Sequence, residues 1–387
     1  MFVLNGNSEA ALLDDMKLNS VPYKENYCVI YNYISPNMTY NGSVTFVTHS
    51  DVHYLGNLET LTRYWDGPIS IGIIVDPPQQ NAWRSKGFAS KKFVMALSRL
   101  DLLSASVLVG KVTAHLVYPK SETSPCGRIL VDESVFSKDI NYIGRYFPGN
   151  HKRHRYPINV LRNVARIGLT SPIFMSSELE EIPSAHFAER VKDLALNEFS
   201  RNSKTALIYR KFQIAKGQVV PQIKSDLIHM FNVERAAEFK NYTTTKAHRI
   251  PMVQEWMTVP ENFNKSSVFM NLTYMDPTWE PRFVGYNRTV PLYDDSFILG
   301  LRDQTELVYE MCLNGFEFKV LNDLFTSTVG IQQQMSSEEL NILKNGAGSE
   351  HGMLVEEYTK RLSKQFPDLN ERCGIFKADD QFYYHVN

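Results

Sequence analysis

Residues Val44 to Val75 constrain the fold more than any other stretch, because a strand, a helix and a second strand follow one another with little chain between them. Val44-Thr45-Phe46-Val47-Thr48 is rich in the β-branched and aromatic residues that suit a pleated strand. Leu55, Leu58, Leu61 and Trp65 recur at helical spacing, and Asp66-Gly67-Pro68 makes a turn. Ile69 to Val75 is then a nearly continuous apolar run of the kind buried on both faces in parallel sheets. A second unit repeats the pattern: Phe93, Leu97 and Leu100 mark a helix, and Val112, Ala114 and Leu116 alternate along a strand that Pro119 ends. Successive units of this kind predict an α/β fold with a mainly parallel, Rossmann-like sheet flanked by helices.

A chain of 387 residues with 43% hydrophobic content has enough apolar material to bury such a sheet. Its formal net charge of −1 supplies no overall basic field for nucleic acid or an anionic membrane, and no apolar run approaches the ~20 residues of a membrane span. The basic run His151 to Arg155 reads as a solvated loop, with a phosphate or acidic glycan as its alternative ligand. Six N-x-Ser/Thr sequons, at Asn37, Asn41, Asn241, Asn264, Asn271 and Asn287, point to a secretory compartment. The N-terminus has no apolar signal core, so a luminal protein would need a targeting segment that this sequence does not contain. Cys28, Cys126, Cys312 and Cys373 lack a CxxC pair and leave two disulfides and buried free thiols equally open. The expected organisation is an irregular, stem-like segment (1–40), a main domain (41–335) and a helical extension packed on it (336–387), with Val355, Tyr358 and Leu362 on one of two helices.

The segment YPINVLRNVARIGLTSPIFMSSELEEIPS, from Tyr156, carries the densest chemistry. Asn159, Arg162, Asn163 and Arg166 follow i, i+3, i+4, i+7, while Ile158, Leu161 and Ala165 take another face. A solvated helix surface has the same pattern, but two asparagines are poor helix formers and suit donor and acceptor work on a ribose or diphosphate. After a short strand, Ile173-Phe174-Met175, comes Glu178-Leu179-Glu180. Strand alternation would send Glu178 and Glu180 to one side, where they can share a divalent cation, and Glu181 to the other. An acidic run before a helix also has a structural use against the helix dipole. The chain holds no GxSxG, HExxH or phosphate-binding GxxxxGK[ST] sequence, and Gly346, Gly348 and Gly352 make no dinucleotide fingerprint.

Val44 to Val75, the strand KVTAHLVYP from Lys111, YPINVLRNVAR, Trp279-Glu280-Pro281, PLYDDSF (Pro291 to Phe297), GFEFKVLND (Gly315 to Asp323) and YTKRLSKQFPDLNERC together resemble glycosyltransferase family 49. The resemblance implies a GT-A fold, a UDP-sugar donor, Mn²⁺ or another divalent cation, and a glycan or glycoprotein acceptor in the Golgi or secretory lumen, with a partner glycosyltransferase as a further possibility. Carried over residue by residue, it places the nucleotide near Thr48, His49, Asn159, Arg162 and Asn163, and the metal at Glu178 and Glu180, where the family has two aspartates. Thr328 stands in place of the family's histidine ligand, and Gln213 in place of a glutamate.

The same resemblance implies an inverting transfer in which a carboxylate takes the acceptor's proton. Asp294 and Asp295 are the first candidates and Asp303 the next, each with a turn or N-cap role as its alternative. Trp279 and Tyr286 are candidate platforms for acceptor sugars, with core packing as the alternative for Trp279. The competing functional reading is a catalytically inactive member that binds a glycan or nucleotide sugar or assists a partner enzyme.

Overall fold

The computed structural model describes residues 16–36, 42–78, 88–106, 110–147, 156–241, 245–334, 336–337, 349–367 and 370–378. The basic run 151–155, the sequons at Asn37 and Asn41 and the helix end at Asn345-Gly346 lie outside the described residues. The strands are β1 (Met16–Asn19), β2 (Val21–Tyr23), β3 (Tyr27–Ile34), β4 (Val44–Asp51), β5 (Ile69–Ile74), β6 (Val112–Pro119), β7 (Arg128–Val131), β8 (Ile173–Ser176), β9 (Ile182–Pro183), β10 (Thr205–Ile214), β11 (Ala236–Glu238), β12 (Val268–Leu272), β13 (Arg282–Tyr286) and β14 (Glu317–Val329). The helices are α1 (Gly56–Tyr64), α2 (Lys91–Ser106), α3 (Ile140–Gly144), α4 (Ile158–Ile167), α5 (Phe187–Arg201), α6 (Lys224–Asn232), α7 (Thr245–His248), α8 (Val253–Thr258), α9 (Thr305–Leu313), α10 (Ser349–Gln365) and α11 (Asn370–Cys373).

One sheet runs β12-β14-β10-β13-β8-β4-β5-β6-β3-β2, with β11 on β10, β9 on β14, and a separate β1–β7 pair. β6, β5, β4 and β8 are mutually parallel, β13 runs against both β8 and β10, and β10 is parallel to β14. Six strands therefore end along one edge, where open α/β sheets bind ligands. The α/β class read from the sequence is observed, with the sheet parallel through its centre and mixed toward its margins.

All eight residues of β4 are buried. Helix α4 covers one face of the central strands, while Leu58, Leu61, Phe93, Phe187 and Val191 from α1, α2 and α5 pack on the other. The continuous apolar pattern follows from this double cover. Gly72 makes the α4 side possible, because a Cβ there would run into the Leu161 carbonyl.

Residues 16–34, read from the sequence as irregular, instead carry β1, β2 and β3, and β3 extends the main sheet antiparallel to β6. Asn32 explains the misreading: its φ of 55° and the shift of register between Ile30 and Ile34 break the alternation that would mark a strand. The cysteines form two disulfides, Cys28–Cys126 and Cys312–Cys373. The second ties α9 to α11, and Val355, Tyr358 and Leu362 of α10 share a core with Leu307 and Val308 of α9. Among the described residues no helix is long and apolar enough to cross a membrane.

Candidate functional site

Glu178 follows β8 at the carboxyl edge of the sheet and is the centre of an ionic cluster. Its Oε1 accepts from Arg162 Nη2 at 2.8 Å and from Arg282 Nη2 at 3.2 Å. His49 Nε2 lies 2.9 Å from Oε2, and His49 Nδ1 is 2.8 Å from the Tyr156 hydroxyl. Burial alone would raise the Glu178 carboxyl, but His49, Arg162 and Arg282 outweigh it and hold it well below the usual glutamate range. Behind it, Glu181 is fully buried and accepts from Lys211 Nζ at 2.6 Å, Arg282 Nε at 3.0 Å and the hydroxyls of Ser177 at 2.6 Å and Thr326 at 3.1 Å. Burial again opposes ionisation, yet Arg282 and Lys211, with the hydrogen bonds of Lys211 and Ser177, bring Glu181 down to about 2.

The polar stripe of α4 is buried as completely as its apolar side. Asn163 Nδ2 donates to Tyr293 O at 2.7 Å and to Asp295 Oδ1 at 2.7 Å, and its Oδ1 accepts from Tyr293 N at 2.9 Å. Asn159 donates to Asp294 O at 2.9 Å and to Glu306 Oε1 at 3.3 Å. Arg166 holds the carbonyls of Val290 and Pro291 and the side chain of Asn287. A chain that enters the interior without regular structure must find side-chain partners for its backbone, and residues 287–295 find them on this helix. The stripe expected to meet a nucleotide thus mainly clamps the protein's own chain. Arg162 alone among the three predicted α4 residues reaches the ionic cluster.

The three candidate bases separate by environment. Asp294 pairs with Arg361 at 2.8 Å. Asp295 pairs with Lys24 and accepts from the Tyr23 hydroxyl at 3.1 Å as well as from Asn163. Asp303 accepts from Arg162 Nη1 at 2.9 Å and from Gly300 N at 2.8 Å, which places it on the guanidinium that also holds Glu178. Burial raises the Asp303 carboxyl, and the nearby Glu280 and Glu178 add to that rise against the pull of Arg162.

Other predicted residues sit elsewhere. Thr48 is fully buried, and strand alternation turns it to the face of β4 opposite His49, away from the cluster. Trp279 is 0% exposed, donates from its indole to Arg249 O and packs edge-on against Phe318, so it is a core residue and offers no face to a sugar. Tyr286 pairs with Ile173 at the start of β8 and packs on Phe199, which puts it at the sheet edge opposite Glu178. Glu178 and Glu180 do not share a strand face, because β8 ends at Ser176, and Glu180 stands exposed in the turn that follows. Glu181, expected on the side away from Glu178, instead shares Arg282 with it, and sequence reasoning missed Arg282 and Lys211. The signals were present: Arg282 beside Trp279-Glu280-Pro281, and Lys211 inside the apolar strand TALIYRKFQI.

The metal expectation can be tested on this donor set. A divalent ion about 2.1 Å from Glu178 Oε1 would stand about 4–5 Å from the guanidinium nitrogens, where repulsion from each is roughly 7 kcal/mol at an effective dielectric near 20. Gln213 and Thr328 do face each other across β10 and β14, so the two altered positions are neighbours. Gln213 Oε1, however, accepts from Lys240 N, and Thr328 donates to Phe212 O. These residues do not fit a divalent cation. The nearest approach to a ligand trio among the described residues, Asp66, His186 and Glu189, lies apart from the cluster, and Asp66 already accepts the amides of Ala188 and Glu189.

The sheet is an open α/β arrangement with the ionic cluster at its carboxyl edge. The chain belongs to the family described as "Glycosyl-transferase for dystroglycan", which matches residues 43–367. Human beta-1,4-glucuronyltransferase 1 is 23% identical over 347 residues, covering 85% of this chain and 77% of the relative. Mouse xylosyl- and glucuronyltransferase LARGE1 is 21% identical over 289 residues, covering 74% of this chain and 31% of its own length. Among solved structures, S. aureus TarS 1-349 in complex with UDP is 11% identical, with 83% of this chain and 72% of that chain covered at a TM-score of 0.33.

Proposed function

We propose that this protein is an inverting glycosyltransferase that takes a sugar from a UDP-sugar, of the glucuronyl or xylosyl type, and transfers it to a hydroxyl of a glycan acceptor. The observation that carries the reading is the meeting of His49, Glu178, Arg162, Arg282 and Asp303 at the carboxyl edge of the sheet. In the transfer, the acceptor oxygen forms a bond to the anomeric carbon, the bond from that carbon to the β-phosphate oxygen breaks with its electron pair, and the acceptor proton passes to a carboxylate. Asp303 suits that role better than Asp294 or Asp295, since a base with a raised pKa is the more effective proton acceptor and it alone adjoins Arg162. Two disulfides and exposed sequon asparagines at 241, 264 and 271 favour a secretory-lumen setting.

The test is release of UDP from UDP-glucuronic acid and UDP-xylose in the presence of a glycan acceptor. Asp303→Asn is expected to lower turnover by about 10²-fold or more while UDP still binds. Unchanged turnover in Asp303→Asn, with loss in Asp294→Asn, would move the base. A second reading, an inactive nucleotide-sugar-binding member, is favoured by the cationic occupation of Glu178. UDP binding without turnover of any donor would support it.

A further inference from the structure

Two guanidinium groups share one carboxylate oxygen at the position where the family resemblance puts a metal ligand. Arg162 Nη2 and Arg282 Nη2 both donate to Glu178 Oε1. The pair carries two positive charges, as a divalent cation would, and each Nη2 has a second N–H beyond the one given to Glu178. Both groups are held from behind. Arg282 Nε is fixed by Glu181 and its Nη1 by Gln304, while Arg162 Nη1 is fixed by Asn159 and Asp303. Lys211 completes the charge on Glu181, so Arg282 keeps a fixed direction without that carboxylate being left unbalanced. The side chains of Arg162 and Arg282 are 4% and 8% exposed and Glu178 is 20% exposed, so the carboxylate lies at the mouth and the guanidiniums behind it. Such preorganised donors cost no reorganisation when negative charge develops on a departing phosphate.

We infer that Arg162 and Arg282, in place of a divalent cation, neutralise the diphosphate of the donor, so that nucleotide binding and transfer proceed without metal. This rests on the nucleotide-sugar reading above and deepens it. Glu178 then serves as a positioning residue that sets the two guanidiniums side by side, and Lys211 positions Arg282 through Glu181.

Calorimetric titration of the folded wild-type protein with UDP, once in EDTA and once with Mn²⁺, tests the inference. The expected result is binding in EDTA with an affinity that Mn²⁺ changes by less than about twofold. Glu178→Gln keeps the shape and removes the competing charge, and is expected to bind UDP in EDTA at least as tightly as wild type. Arg282→Gln is expected to weaken binding by more than about tenfold with no rescue by Mn²⁺, and its melting curve checks that it folds. Binding that requires Mn²⁺ overturns metal independence and leaves the nucleotide-sugar reading standing. No UDP binding under either condition overturns both. The wild-type comparison decides the matter even where a variant fails to fold.

Discussion

Glu178 and Glu306 are carboxyl groups on the same network, yet their surroundings drive them in opposite directions. Glu178 meets His49, Arg162 and Arg282 and is held ionised, whereas Glu306 is fully buried with amide and backbone donors on Oε1 and no partner for Oε2 among the described residues. Burial, then Asp294 and Glu310, push the Glu306 carboxyl well above its ordinary value. The folded state therefore holds a proton that the unfolded state releases above the ordinary glutamate pKa. The stability this gives is fully present below that pKa and is lost as the pH rises toward the folded value, by about 1.4 kcal/mol per pH unit. Glu306→Gln, which fixes a neutral group in the same shape, is expected to flatten this part of the pH dependence in denaturant titrations carried upward from the ordinary glutamate pKa. An unchanged slope would mean that Glu306 ionises freely in the folded protein.

At the scale of elements, α4 is the piece on which the fold and the site both depend. Its apolar face sits on β4, β5 and β6, and its polar face grips residues 287–295. Asn163→Ala removes three hydrogen bonds and leaves Tyr293 N and O unpaired in the interior, so a loss of about 2–3 kcal/mol in unfolding free energy is expected from chemical denaturation. A fall in UDP affinity with stability intact would instead return Asn163 to nucleotide binding. The existence of α4 was legible in the sequence because its periodicity is strong. The destination of its polar face was not, since amides and guanidiniums at i, i+3, i+4, i+7 look the same whether they meet a ligand or a backbone. For the same reason β4 and β5, continuous and apolar, were readable, while β3 with its bulge at Asn32 was not. Of the two aromatic candidates, Trp279 takes the core role that was its alternative, and Tyr286 lies at the far sheet edge, a position its local sequence does not mark.

For the whole molecule, the ends of parallel strands and the start of antiparallel β13 bring together groups from distant parts of the chain: His49 from β4, Glu178 and Glu181 after β8, Lys211 from β10 and Arg282 from β13. Lys24, before β3, and Arg361, on α10, close over Asp295 and Asp294, and the two disulfides fasten β3 and the last helix to the same body. Cross-links over such long loops restrict the unfolded chain and help a site assembled from remote segments keep its geometry. The proposed replacement of metal ligands by cations rests on Arg282 and Lys211, remote in sequence yet beside the glutamates. A crystal structure of the protein soaked with UDP and Mn²⁺, with anomalous scattering to locate manganese, tests this most directly. The expected result is the diphosphate within hydrogen-bonding distance of Arg162 Nη2 and Arg282 Nη2 and no manganese at Glu178; manganese bridging Glu178, Glu180 and the diphosphate, or a nucleotide bound away from this edge, would contradict metal-independent binding by the two arginines.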